Sequence, residues 1–479
     1  MSVQYRKKII TAALSILLGI ACVPSAEKEG SIELLVTGNV VGKTMTWLGP
    51  SVITGGPTEE VTAKYIRDSG FNTTKYWHYF RDFPAIAARK ELYGLDYKEI
   101  AIRQVTEEPE KIDWDFELEI QKDQQASEHR LDLCKKYGIQ PVVDLLAPHP
   151  KYNDFTDGPL VREVYWRRVF LFCYWANKIK KYNFTLWEMG SESNAEGSAI
   201  QAEVGSDAAR EAEKLTGVKI KIASAGDDYT ISDIIAGYEK ILRGKAADRL
   251  DVLSFHSFNF FSTFPEKSGY PTYLEHVQCF DRIQRWCRPD KPLLPYWDTS
   301  WFWRKKRSGE GHQSDHLLAG LQYTSRLIWS NQCGVELSVP FVMYGPESDS
   351  LYGRGLGGVI KVKEGTKETR PSKAYYALRM MARATTGGKE RLELEGLPGG
   401  DKVLALVSRD KEHLYLTFVN RTKDTAYKFH PGLPAAVSGR PYLLREFSEK
   451  VNDEVVGEGK LPLKLELEPL SVKQMIVEL

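Results

Sequence analysis

The stretch Thr185-Leu186-Trp187-Glu188-Met189-Gly190-Ser191-Glu192-Ser193-Asn194 decides how the chain is read: an apolar, β-prone run stops in a polar segment. Helical periodicity over 163–181 precedes it. Working outward, the same alternation recurs along the chain. The candidate strands are 43–48, 72–77, 140–146, 185–189, 219–223, 252–256, 292–297 and 335–344. Helical patterns lie between them, among them 59–68, 116–137, 163–181, 273–288 and 316–331, and 372–384 closes the series. Eight strand–helix alternations predict an α/β fold, a (β/α)8 TIM barrel over residues 43–385. The rival is an open doubly wound sheet, but no GxGxxG or phosphate-loop motif opens the first helix.

After Thr385 the helical periodicity ends. Short strand-like runs at 403–408, 414–420, 442–447 and 463–467 are punctuated by Pro398-Gly399-Gly400 and Pro431-Gly432. Residues 386–479 are therefore expected to form an all-β sandwich. The segment 22–42 carries an apolar run at 32–36 that is expected to add a strand to that sandwich. Residues 1–21 read as a secretory signal peptide: Arg6, Lys7 and Lys8 precede an apolar stretch too short to span a bilayer comfortably. Cleavage is expected before Cys22. The run Leu18-Gly19-Ile20-Ala21-Cys22 resembles a bacterial lipoprotein box, so attachment to a membrane through a lipid on Cys22 stays open.

Composition excludes several classes. Of 479 residues, 42% are hydrophobic and 11% aromatic, which suits a packed core rather than disorder. With 65 basic against 64 acidic side chains, no electrostatic footprint for nucleic acid exists. Six cysteines in so long a chain are too few for a disulfide scaffold, and none forms a CxxC pair. The histidines are scattered, so neither a metal nor a cofactor is expected.

In such barrels chemistry gathers where strands end, at the C-terminal face. The fourth strand runs into Glu192. The seventh runs into Tyr296-Trp297-Asp298-Thr299-Ser300-Trp301. Glu192 and Asp298 are thus expected to face each other across the barrel mouth. Paired carboxyls in an aromatic cleft suit glycoside hydrolysis: one protonates the leaving oxygen, the other attacks carbon or activates water. Glu188 is read as orienting its neighbours. His149 and His256 close the third and sixth strands as substrate contacts or core histidines. Trp77, Trp297, Trp301, Trp303 and Tyr344 are sugar-stacking platforms or ordinary core. Arg304-Lys305-Lys306-Arg307 is either solvated charge or a site for an anionic glycan.

The motifs, in their order, resemble clan A glycoside hydrolases, family 39 and its relatives in particular. Trp187 to Asn194 resembles W-E-x-G-N-E-P-N, whose second Glu is the acid/base, and the seventh-strand segment is similar to T-E-x-G/S-W, which carries the nucleophile. Gly70-Phe71-Asn72-Thr73-Thr74-Lys75 resembles G-x-N-x-x-R, and Ser254-Phe255-His256-Ser257-Phe258 resembles S-x-H-x-Y. Ile112-Asp113-Trp114-Asp115, Gly138-Ile139-Gln140-Pro141-Val142 and Arg370-Pro371-Ser372-Lys373-Ala374-Tyr375-Tyr376-Ala377 also resemble family 39. The resemblance implies Glu192 as acid/base, Asp298 as nucleophile, and Lys75, Ser191 and His256 as contacts to substrate. The chain departs from the pattern at Lys75 (Arg), Ser191 (Asn), Phe258 (Tyr) and Asp298 (Glu). Asp is shorter than Glu by about 1.5 Å, which leans away from the carboxyl spacing of about 5–5.5 Å in retaining enzymes. The expected function is an exported hydrolase of polysaccharide or oligosaccharide. The alternative is a glycan-binding protein on a hydrolase barrel that has lost turnover.

Overall fold

The computed structural model describes residues 32–80, 96–119, 128–146, 159–191, 193–226, 231–257, 273–301, 316–347, 358–398 and 401–479. The leader, Cys22, His149, Glu192, Trp303 and the basic run 304–307 lie outside these described residues. Strand β1 (Ile32–Lys43) comes first, and eight parallel barrel strands follow. These are β2 (Trp47–Leu48), β3 (Thr73–Tyr79), β4 (Gln140–Leu146), β5 (Leu186–Glu188), β6 (Lys221–Ala223), β7 (Leu253–His256), β8 (Tyr296–Trp301) and β9 (Val335–Pro340). They pair as β3-β4-β5-β6 and β2-β9-β8-β7. A parallel bridge between Ala223 and Val252 joins the two halves on one side. On the other, the Asn72 amide donates to Leu48 O at 3.2 Å and the Asn72 side chain accepts from Leu48 N at 3.0 Å. The wall is closed: a (β/α)8 barrel.

Helices α1 (Glu59–Ser69), α2 (Tyr97–Glu107), α3 (Trp114–Leu118), α4 (Glu128–Tyr137), α5 (Pro159–Tyr174), α6 (Ala195–Thr216), α7 (Ile231–Arg243), α8 (Tyr273–Cys287), α9 (Leu317–Gln332) and α10 (Lys373–Thr385) complete the α/β units. Their ends follow local chemistry. Thr58 caps α1 by accepting from Val61 N, and Gly70 ends it in the left-handed region at φ 74°.

Strand parity decides which side chains meet in the lumen. Val142, Leu186, Ala223, Val252, Trp297, Leu337 and Val339, with Trp47 against them, form one buried apolar cluster drawn from most of the wall. Only the barrel interior can bring these together. Two residues further along four of the strands come Asp144, Glu188, Ser254 and Thr299, so a polar layer rests on the apolar one.

The seventh barrel strand is shifted from its expected place, 296–301 rather than 292–297. Pro292 and Pro295 have no N–H to give to a ladder, so pairing starts after them. Trp47–Leu48 is all of the first barrel strand, because residues up to Lys43 belong to β1. Tyr344 lies past β9 in a small sheet of β10 (Tyr344–Pro346), β11 (Ile360–Val362) and β12 (Thr369–Pro371).

The C-terminal strands are β13 (Glu390–Glu395), β14 (Val403–Arg409), β15 (His413–Asn420), β16 (Tyr427–Gly432), β17 (Pro441–Phe447), β18 (Asn452–Lys460), β19 (Leu465–Leu467) and β20 (Ser471–Glu478). With β1 they form one curled sheet in the order β18-β17-β20-β15-β14-β13-β1-β16-β19. It folds over a core including Leu34, Leu416, Phe418, Phe429, Leu467 and Met475. Strand β1 runs antiparallel to β13 (Leu35 opposite Glu395) and parallel to β16 (Ile32 opposite Phe429). The sandwich is fixed to α10 through Asp453, whose carboxylate accepts from Arg379 at 2.5 Å, Arg445 at 2.8 Å and Arg383. Among the described residues no helix is long and apolar enough to cross a membrane.

Candidate active site

Lys75, on β3, is the hub of the polar layer. Its ammonium forms ion pairs with Glu188 Oε2 at 2.5 Å and Asp144 Oδ2 at 3.0 Å, and all three side chains are fully buried. It also lies 3.1 Å from His256 Nε2, 3.3 Å from Ser191 Oγ and 3.3 Å from Thr299 Oγ1. An ammonium can only donate, so His256 must present the Nε2 lone pair to it. Ser191 Oγ lies 3.2 Å from the same nitrogen. Thr299 Oγ1 donates to Glu188 Oε1 at 2.7 Å, and Ser254 Oγ donates to that oxygen as well. Gly226 completes the enclosure. A Cβ there would lie 2.7 Å from His256 Nε2 and 2.8 Å from Glu188 Oε1, so any side chain would have to displace one of them.

One ammonium against two carboxylates leaves an excess negative charge in a dry interior, which is costly. Asp144 carries the consequence. Burial, abetted by the nearby Glu188 charge and opposed by Lys75, pushes its carboxyl up to about 7. For Lys75, burial pulls the ammonium down, but Asp144 and Glu188 outweigh it and hold the pKa above its ordinary value. The lysine therefore stays charged and is no candidate amine nucleophile.

Of the residues expected in the site, the structure brings together Lys75, Ser191 and His256. Trp77, two residues beyond Lys75 on the same side of β3, is half-buried, with the Lys75 ammonium 5.4 Å from its ring centroid. The ring of Phe341 meets it edge-on at 5.6 Å. Glu192 follows Ser191 in the chain and precedes Asn194, whose side chain caps α6 by accepting from Gly197 N at 2.8 Å.

One expectation needs correction, and three aromatic residues take the core alternative. Asp298 does not face the mouth: it is the third residue of β8, one step out of phase with lumen-facing Trp297 and Thr299. Its fully buried carboxylate points to the helix layer, where Oδ2 accepts from Arg326 of α9 at 3.0 Å and from Tyr273 of α8 at 3.3 Å. Ser257 Oγ lies 2.7 Å from both carboxylate oxygens. Burial raises its pKa, with Arg326 opposing. Trp297 is barrel core, edge-on to Trp47 at 6.5 Å. Trp301 lies in the helix layer, its Nε1 donating to Ser338 Oγ at 2.8 Å and its ring 4.1 Å from the Arg326 guanidinium. Tyr344 packs edge-on against Tyr65 of α1 at 6.5 Å, apart from the Lys75 cluster.

Sequence reading missed Asp144, Ser254, Thr299 and Gly226. The first three were visible as lumen parity, two residues after Val142, Val252 and Trp297. Among the described residues, no group of three His, Cys, Asp or Glu side chains could hold a metal ion.

No protein-family model matches this chain, and no curated protein does. Solved structures do match. A glycoside hydrolase family 30 subfamily 8 xylanase from Clostridium acetobutylicum is 10% identical over 94% of this chain and 100% of its own, with TM-score 0.61. A GH51 arabinofuranosidase from Xanthomonas axonopodis pv. citri is 11% identical over 93% of this chain and 99% of its own, with TM-score 0.57. A conserved exported protein from Bacteroides fragilis is 11% identical, covering 93% and 100%, with TM-score 0.63. At such identities the likeness is one of fold: a barrel with a C-terminal β domain, as found in glycoside hydrolases. The glycosidases named here are of families 30 and 51, not 39.

Proposed function

We propose that this protein is an exported glycoside hydrolase acting on a polysaccharide or oligosaccharide, with Glu192 as its general acid. The observation that carries this reading is the convergence of Lys75 of β3 and His256 of β7 on Ser191, which follows β5 and immediately precedes Glu192 in the chain. A hydroxyl, an imidazole and a cation on the C-terminal side of a barrel, with a half-buried tryptophan beside them, suit a ligand rich in hydroxyl groups. The motif resemblance to clan A and family 39 supports the same assignment. Export rests on the basic and apolar character of residues 6–20, with Cys22 as the first mature residue; one matched structure is that of a conserved exported protein.

The burial of Asp298 against Arg326 favours a second reading, glycan binding without turnover, since the seventh strand then brings no carboxylate into the lumen. The same experiment separates the two. Wild type and Glu192→Gln are assayed on xylan, arabinan and 4-nitrophenyl xylosides and arabinofuranosides, with binding followed by affinity electrophoresis. Hydrolysis by wild type, reduced about a hundredfold or more in the variant with binding kept, supports the acid assignment. Binding without hydrolysis by wild type selects the second reading, and neither binding nor hydrolysis overturns both. Anomeric proton signals of the first product distinguish retention from inversion.

A further inference from the structure

We infer that Thr299, not Asp298, is the side chain the seventh barrel strand gives to the reaction chamber, where it is a positioning residue that holds Lys75 and Glu188 beneath Ser191 and His256. Its hydroxyl is the link between otherwise separate groups. It donates to Glu188 Oε1 at 2.7 Å, accepts from Lys75 Nζ at 3.3 Å and lies 2.9 Å from Ser254 Oγ. Each partner comes from a different strand: Lys75 from β3, Glu188 from β5, Ser254 from β7. Asp298, its chain neighbour, belongs to another network made with Ser257, Tyr273 and Arg326. The hydrogen bonds of Thr299 lie on the lumen side of β8, and those of Asp298 on its helix side. The wall of β8 therefore separates a chamber side from a tether side within one peptide unit. On the chamber side, removing the hydroxyl while keeping the volume leaves Glu188 with one donor fewer and Lys75 free to tilt toward Asp144. Ser191 and His256, both hydrogen-bonded to that ammonium, then lose their common anchor.

The test has an arm that does not depend on activity. Unfolding by urea is measured for Thr299→Val, Ser254→Ala, Asp298→Asn, Ser257→Ala and the pairwise combinations. Thr299 with Ser254 should be non-additive because both donate to Glu188, and Asp298 with Ser257 should be non-additive for the same kind of reason. Thr299 with Ser257 should add within error. Strong non-additivity between Thr299 and Ser257, or additivity between Thr299 and Ser254, overturns the inference whether or not the protein cleaves glycans. The second arm rests on the proposed function. On the 4-nitrophenyl glycoside that wild type cleaves, Thr299→Val should lose tenfold or more in kcat with KM changed less. Thr299→Ser, which restores the hydroxyl, should recover most of it, whereas Asp298→Asn assayed well below its melting temperature should stay within about threefold of wild type. A folded Asp298→Asn that loses a hundredfold while Thr299→Val does not would return the role to Asp298.

Discussion

Asp298 Oδ2 and Arg326 Nη2 meet at 3.0 Å across the seam between β8 and α9, both side chains almost wholly withdrawn from water. That pairing ties a barrel strand to its covering helix. The Arg326 guanidinium is stacked on Trp301 at 4.1 Å, so ring, cation and carboxylate form one packed unit outside the lumen.

Removing one partner of such a pair strands the other. Arg326→Met should therefore destabilise the protein by about 3–5 kcal/mol, because Asp298 would be left as an uncompensated buried acid. Replacing both, as in Asp298→Asn with Arg326→Met, should recover part of that loss. Urea unfolding of the two single variants and the double variant measures it; an Arg326→Met protein as stable as wild type contradicts the tether role.

Asp144 makes stability depend on pH in a direction opposite to most paired carboxylates. Its folded pKa of about 7 exceeds the value of about 3.9 expected in an unfolded chain. Between those values the folded state binds the extra proton, so stability falls as pH rises from about 4 to 7 and levels off beyond. Melting temperatures across that range should decline with pH, and Asp144→Asn, which cannot titrate, should flatten the decline. An unchanged slope in that variant places the titration elsewhere.

Gly226 tests the chamber without altering charge. An alanine methyl would stand within 2.8 Å of both His256 Nε2 and Glu188 Oε1, so one of these side chains has to move. Gly226→Ala should reduce kcat/KM on the cleaved glycoside at least tenfold, or weaken glycan affinity comparably if no turnover exists. Gly217→Ala serves as the control, because a Cβ there meets nothing within 4 Å; its left-handed φ of 72° confines any cost to folding.

The barrel was legible because strand–helix alternation is a repeated local signal; His256 was legible because it ends a recognisable strand, and Lys75 and Ser191 because they fall in stretches that resemble clan A motifs. Asp298 was misread by a boundary. Placing the strand at 292–297 made residue 298 look like the first residue of a loop, whereas Pro292 and Pro295 argue for a later start. Once the strand begins at Tyr296, alternation puts Trp297 and Thr299 inside and Asp298 outside. The Asp144–Lys75, Lys75–Glu188 and Glu188–Thr299 contacts join residues on separate strands, and only closure of the wall reveals them. In the sandwich, β18 was missed because it is an edge strand. Gly457, Gly459 and exposed Val455 and Val456 blur the alternation that marks a half-buried strand.

Asp453 carries the last prediction, which concerns how sandwich and barrel hold together. Its buried carboxylate accepts hydrogen bonds from Arg379 and Arg383 of α10 and from Arg445 of β17, so one acid neutralises cations from both parts of the chain. Burial opposes the charge, but Arg383 and its companions outweigh it and hold the pKa below the ordinary value. A depressed folded pKa contributes stability that is complete above the unfolded value near 3.9 and is lost as pH falls through the folded one. Acidification below about pH 4 should therefore loosen the seam between α10 and the sandwich. Asp453→Asn should bring that loss to neutral pH, costing about 3–5 kcal/mol because three guanidinium groups are left crowded without their counter-charge. Hydrogen exchange followed by mass spectrometry reads it locally: faster exchange at β17, β18 and α10, with β4 and β5 unchanged. Uniform acceleration over the whole chain, or none at α10, would show that Asp453 does not join the two parts.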